Sequence, residues 1–250
     1  MFKTKVSEGS VKACFLILFA LILIGSEAFG EDSVENVVEK YLSAVGGKDK
    51  LSQIKNRVIK GEFSLPDMGM YAPIEMYVQT PDKVMMRIDM AEFGEVSNGV
   101  NGDVAWDINP MTGPRVLQGT EKQASLRRAA IDEFLNWKTY YTKAETAGEE
   151  TVGEEKCTKV VFTPIEGEPV EYFFGVDTGL VLRSISNVNG QYTEVNLSDY
   201  REVDGIKIPF LMEMTNPQFN FEFQFESVEH NVDIPAETFE LPKEIKALLN

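Results

Sequence analysis

The chain has 250 residues, 43% of them hydrophobic, with 40 acidic against 24 basic residues and a formal net charge of −16. That length and apolar content suit one globular domain with a sizeable core. The acidity disfavours nucleic acid and anionic lipid surfaces as partners, because Arg127-Arg128 is the only basic cluster.

Lys3, Lys5 and Lys12 precede an unbroken apolar run from Ala13 to Ile24, after which Gly25, Ser26, Glu27, Ala28, Phe29 and Gly30 turn small and polar. This start predicts a secretory signal peptide over residues 1–30, cleaved after Gly30 or Ala28, with residues 31–250 as one exported domain. The apolar run is short for a bilayer span, so stable membrane insertion is not expected. Cys14 lies at the start of the run, not at its end where a lipidated cysteine belongs. Its removal leaves Cys157 alone and excludes a disulfide framework.

Asp32 with Glu35 three residues on reads as a capping box. Val34, Val37, Val38, Tyr41, Leu42 and Val45 follow at helical spacing, and Gly46-Gly47 ends the helix. A shorter helix with Leu51 and Ile54 is expected next. Strand alternation then takes over: Ile74, Met76 and Val78; a turn at Pro81-Asp82; Val84, Met86, Ile88 and Met90; turn residues Asn98-Gly99 and Asn101-Gly102; then Val104, Trp106 and Ile108. From Glu121 to about Tyr140 no turn residue occurs, and Leu126, Ala130 and Phe134 with Ile131 and Leu135 predict a second long helix.

Strands resume over 156–163, 170–176, 180–188, 191–200 and 206–214, separated by turns at Asp177-Thr178-Gly179, Asn189-Gly190, Asp204-Gly205 and Asn216-Pro217. The last strand, QFNFEFQFE at 218–226, places Phe219, Phe221, Phe223 and Phe225 on one face and polar side chains on the other. Those rings are either core under a helix or the wall of a ligand site, and periodicity does not choose between them. The count is about nine to eleven strands with two or three helices. The fold class that follows is mainly β with α: a single strongly curved antiparallel sheet, an unclosed β-barrel, with lid helices on its concave side.

Catalytic signals are sparse. His230 is the only histidine and sits in a charged stretch, where it reads as a solvated surface residue. Cys157 falls within a strand and reads as a small buried residue. No G-x-S-x-G, glycine-rich phosphate loop or H-E-x-x-H occurs, so no catalytic residue, metal site or cofactor is expected. Methionine is concentrated at Met68, Met70, Met76, Met85, Met86 and Met90, with Met212 and Met214 before the Phe strand. Such adaptable side chains serve equally in a core and on an apolar binding surface.

Four stretches, VQTPDKVMMRI (78–88), VNGDVAWDINP (100–110), EYFFGVDTGLVLRSI (171–185) and DIPAETFELP (233–242), resemble in order the periplasmic lipoprotein-sorting carriers of the Lol superfamily. The resemblance implies a periplasmic protein whose unclosed barrel wraps an apolar cavity and holds acyl chains of a lipid or lipoprotein. On that reading Phe219, Phe221, Phe223, Phe225, Met76, Met86, Met90 and Trp106 contact the ligand, and Leu126, Ala130 and Phe134 belong to the lid helix. The chain departs from the dedicated carriers at Thr80, before Pro81, where they place a basic residue implicated in closing the lid. The alternative is an envelope assembly or sensor module that binds a protein partner through the same sheet.

Overall fold

The computed structural model describes residues 33–249, so the signal-peptide segment and Asp32 lie outside the described residues. The chain opens with α1 (Val34–Ala44) and the short α2 (Lys48–Gln53). Ser33 is the N-cap of α1, its side chain accepting from the Asn36 amide at 3.3 Å, and the expected capping box from Asp32 falls outside the described residues. Val34, Val37, Val38, Leu42 and Val45 are buried as one stripe. Gly46 and Gly47 turn the chain with φ of 129° and 94°. A side chain at Gly46 would also strike the Gly205 carbonyl, so the stop is steric as well as conformational.

Six strands follow: β1 (Asn56–Leu65), β2 (Met70–Gln79), β3 (Lys83–Asp89), β4 (Glu95–Asn101), β5 (Val104–Asn109) and β6 (Gly113–Val116). A crossover containing α3 (Gly119–Arg127) and a 3-10 segment (Glu133–Thr139) leads to β7 (Tyr141–Val152), β8 (Glu155–Pro164), β9 (Val170–Gly175), β10 (Val181–Val188), β11 (Gln191–Val203), β12 (Ile206–Thr215) and β13 (Asn220–His230). The chain ends in α4 (Lys243–Leu248).

The thirteen strands form one antiparallel sheet in the order β6-β5-β4-β3-β2-β1-β13-β12-β11-β10-β9-β8-β7. The sheet curves strongly without closing, so β6 and β7 remain edges. The crossover runs from one edge to the other across the concave side. Curling is the ordinary response of a twisted sheet this wide.

The strand count exceeds the expected nine to eleven because β1, the four-residue β6 and β7 were not legible and because Asn98-Gly99 is strand, not turn. Gly99 pairs with Trp106, and a Cβ there would sit 2.6 Å from the Val84 carbonyl and 2.9 Å from the indole. Glycine is present for close approach, a use that resembles turn chemistry in sequence. The expected helix over 121–140 is also broken. Its last amides bond three residues back (Arg128 to Ser125, Ala129 to Leu126, Ala130 to Arg127), and Asp132 is extended, capping the next segment through the Phe134 amide at 2.9 Å.

Candidate functional site

The concave face divides into a covered part and an uncovered part. On one side α1, α2 and the 3-10 segment bury Ile59, Val160, Phe162, Phe174, Val181, Ile206, Phe210, Phe225 and Val228. Toward β5, α3 and its following turn cover Val78, Val84, Val100 and Ala105 with Leu126, Ala129 and Ile131. Between these, toward the β1–β2 and β3–β4 turns, no described helix packs on a third cluster, in which Phe63, Leu65, Ala72, Ile74 and Ile88 are buried by their neighbours and the surrounding Met70, Met86, Met90, Val96, Phe221 and Phe223 are left partly uncovered. Every member of that third group is a sheet residue or flanks a strand.

Register explains how the uncovered patch is built. Phe223 stands beside Phe63 of β1 on one side and Met212 of β12 on the other, while Phe221 faces Met214. Phe63 continues to Ala72, Ile74 to Ile88 and Met76 to Met86. The Phe63 ring lies 5.8 Å from Phe221 and 5.3 Å from Phe223, and Phe219 packs 5.9 Å from Phe221. At the turn end this surface opens into a cleft of about 250 Å³ lined by Phe63, Met70, Tyr71, Ala72, Met90 and Phe93.

The four phenylalanines of β13 therefore do not share one environment. Phe225 is buried among the residues under the helices, Phe223 and Phe221 are half-buried, and Phe219 is 46% exposed at the turn. The strand runs from core to opening along its own length. Gly61 makes the inner end possible: it lies opposite Phe225 at a bulge where a Cβ would come 2.2 Å from the Gln224 carbonyl.

Met76, Met86 and Met90 join this face. Trp106 does not. Its neighbour Ala105 points into the concave side, so alternation turns the indole to the convex face. There it is 2% exposed and packs with Met85, Phe239 and Ile245 beneath the C-terminal segment. Leu126, Ala130 and Phe134 do not form one stripe of one helix either. Leu126 packs over β2–β5, Phe134 packs against Tyr41, Phe162 and Phe174 on the other side, and Ala130 lies half-buried in the turn between.

A polar latch holds the crossover down, and sequence reading missed it. Asp132 accepts from the Tyr41 hydroxyl at 2.7 Å, while Glu133 accepts from Tyr141 at 2.6 Å and Tyr172 at 2.5 Å. Arg127 approaches Glu133 at 4.0 Å, and Arg57 donates to the Ile131 carbonyl at 3.3 Å. Burial pushes both carboxyls above their ordinary range, and the tyrosine hydrogen bonds pull them part of the way back. The same burial, reinforced by the carboxylate charges, raises the three phenols, so they remain donors.

His230 is not the solvated residue expected. Its side chain is 2% exposed, its Nε2 accepts from Arg57 Nε at 3.1 Å, and Nδ1 faces Asp204 at 3.1 Å. Burial first, then the Arg57 charge, lowers its pKa. An aspartate interrupting an apolar helical pattern was the one signal that could have exposed the latch, since aspartate favours caps over helix interiors. Cys157 is fully buried, and burial raises its thiol pKa.

Among solved structures, an outer membrane lipoprotein-sorting protein domain from Vibrio parahaemolyticus matches with a TM-score of 0.59 at 11% identity, covering 85% of this chain and 96% of that one. A LolA superfamily protein from Nitrosomonas europaea gives 0.58 at 12%, covering 84% and 98%. The chain has the LolA-superfamily fold. A DUF1329 family protein from Desulfovibrio piger gives 0.57 at 16%, again covering 84% and 98%. No family model matches the sequence, and no curated protein does. Within the LolA-like sheet the third cluster described above is the candidate site. No described helix is long and apolar enough to cross a membrane.

Proposed function

We propose that the protein is an exported, non-catalytic carrier or binder of an apolar ligand, a lipid or the acyl chains of a lipoprotein, working in the periplasm after cleavage near Gly30. Residues 31–250 act as one domain. The ligand lies against the concave face on Phe63, Met86, Met90, Phe221 and Phe223, beside the crossover that serves as lid. The observation that carries this reading is that Met86, Met90, Phe221 and Phe223 remain only partly covered around the buried Phe63, although the same face is fully buried beneath the helices a few residues further along. A core with a free choice of sequence has no reason to stop being covered there.

Methionine at four of the surrounding positions, Met70, Met86, Met90 and Met214, supplies a surface that reshapes around chains of different length. The only histidine is engaged by Arg57 and Asp204, and the buried Cys157 offers no accessible nucleophile, which favours binding over chemistry. Titration with a fluorescent fatty acid tests the proposal. Phe221→Ser and Met90→Ser should each weaken binding by roughly five-fold or more, because each removes apolar contact area from the ligand. Unchanged affinity in both variants refutes this site.

A further inference from the structure

We infer that the edge of the sheet carrying the β1–β2, β3–β4, β5–β6, β8–β9, β10–β11 and β12–β13 turns is a docking surface for an electrically neutral lipid bilayer. The inference deepens the carrier reading and rests on it for its purpose, though not for its geometry.

In a continuous antiparallel sheet alternate turns fall along one edge, and these six do so by the observed strand order. Each carries, in the turn or within two residues of it, an exposed large hydrophobic side chain: Met68, Phe93, Met111, Ile165, Tyr192 and Phe219, the most exposed being Met111 at 93%. Tyr71, near the start of β2, adds a seventh on the same edge. The turns along the opposite edge, such as Thr80-Pro81-Asp82, Gly102-Asp103, Gly153-Glu154 and Asp204-Gly205, carry none among the described residues. Leu248 and Leu249 at the C-terminal helix are the other two exposed large hydrophobics. Scattered apolar residues need no explanation, but their segregation to one edge does.

The arrangement identifies the partner. A protein interface buries a contiguous apolar patch, whereas these side chains stand one to a turn, with Met68 and Tyr71 both at the β1–β2 turn, on turns spaced about 10 Å apart, twice the strand separation. Isolated projecting groups of this kind suit a fluid phase that closes around each one. Tyr and Phe are side chains that settle at the bilayer interface, and Met68, Met111 and Ile165 add insertable apolar area. Charge narrows the choice further: the turn segments 66–69, 90–94, 110–112, 165–169, 189–190 and 216–219 contain no lysine or arginine but include Asp67, Glu92, Glu166 and Glu168. An anionic membrane surface is repelled by that edge. Continuity completes the case, because the Phe219 ring at the rim packs tilted against Phe221, 5.9 Å between centroids, and Phe93 borders the cleft. A bilayer seated on this edge faces the opening of the proposed site.

Vesicle flotation of the protein produced from the full-length chain tests this, with fluorescent fatty acid binding measured in parallel. The wild type should float with phosphatidylcholine vesicles and less well when phosphatidylglycerol is added. The triple variant Met68→Ser, Met111→Ser, Ile165→Ser, which leaves the cleft residues intact, should partition roughly ten-fold more weakly, since interfacial affinity scales with inserted apolar area. Its fatty acid affinity should stay within about two-fold, as expected of distant sites. A wild type that binds fatty acid yet does not float overturns the docking surface and leaves the carrier reading standing. Flotation without fatty acid binding does the reverse. Equal flotation of the triple variant, a preference for phosphatidylglycerol, or a protein held on this edge with no vesicle binding each overturns the inference.

Discussion

Phe174 and Phe221 lie on the same face of the same sheet, and only what stands above them differs. Phe174 is 1% exposed, with Tyr41 of α1 at 5.8 Å and Phe134 of the crossover at 5.3 Å. Phe221 is half-buried, and its ring neighbours, Phe63 and Phe219, belong to the sheet and its turn. Strand alternation produces an apolar face in both places. The helices and the crossover decide which part becomes core and which part remains half-exposed.

The comparison breaks most visibly under truncation. Phe174→Ala should cost about 3 to 5 kcal/mol in urea denaturation, because it empties a fully packed site. Phe221→Ala should cost less than about 1.5 kcal/mol, since a half-exposed ring leaves little cavity. Similar losses at both would remove the distinction between covered and uncovered regions.

The latch defines the boundary between them. Glu133→Ala removes the acceptor shared by Tyr141 and Tyr172, leaving their hydroxyls only their mutual 3.3 Å contact, and should cost about 2 to 3 kcal/mol, with faster hydrogen exchange over residues 128–140; Glu133→Gln, which keeps an acceptor, should recover much of that. No change in exchange for Glu133→Ala would mean that apolar packing alone holds the crossover.

Acidity should act on the boundary in two opposing directions. The folded pKa of His230 lies below its unfolded value, so the stability it contributes is present above about pH 6.5 and is lost as pH falls through the lowered folded pKa. Asp132 and Glu133 have raised folded values: in the window between the ordinary carboxylate pKa and the raised one, the folded state holds more protons and acidification stabilises it. His230→Gln should therefore flatten the loss of stability between pH 7 and mildly acidic pH in urea titrations. A slope unchanged from wild type would contradict the buried, neutral histidine. The smallest effect is expected for Glu222→Ser, whose side chain faces away from Phe221 and Phe223; it should stay within about 0.5 kcal/mol and leave fatty acid binding intact.

Much of this architecture was legible before any coordinates. Asn189-Gly190 and Asp204-Gly205 adopt the positive φ pairs their hairpins require, and the α1 stripe and Phe strand pointed to the concave face. Two of the missed strands were hidden for physical reasons. In β1 the bulge at Lys60 and Gly61 shifts the alternation midway. The edge strand β7 buries only Tyr141 and Val152 and so has little apolar pattern to read. The candidate site was partly legible: alternation placed the four β13 rings on one face, but a period of two cannot say that Phe225 lies under helices while Phe219 meets solvent. Trp106 was misplaced because strand periodicity fixes relative faces within one strand and leaves open which of them is concave. The latch was missed because Tyr41, Asp132, Glu133 and Tyr172 come together only in the folded chain.

Photolabelling with a diazirine-bearing fatty acid, followed by peptide mass spectrometry, tests the division of the concave face most directly. Saturable labelling should concentrate in residues 63–72, 86–93 and 212–223 and spare both Phe162 and Phe174 under the helices and Trp106 on the convex face. Labelling centred on those spared residues, or no saturable labelling, would contradict the assignment of the uncovered patch as the ligand site.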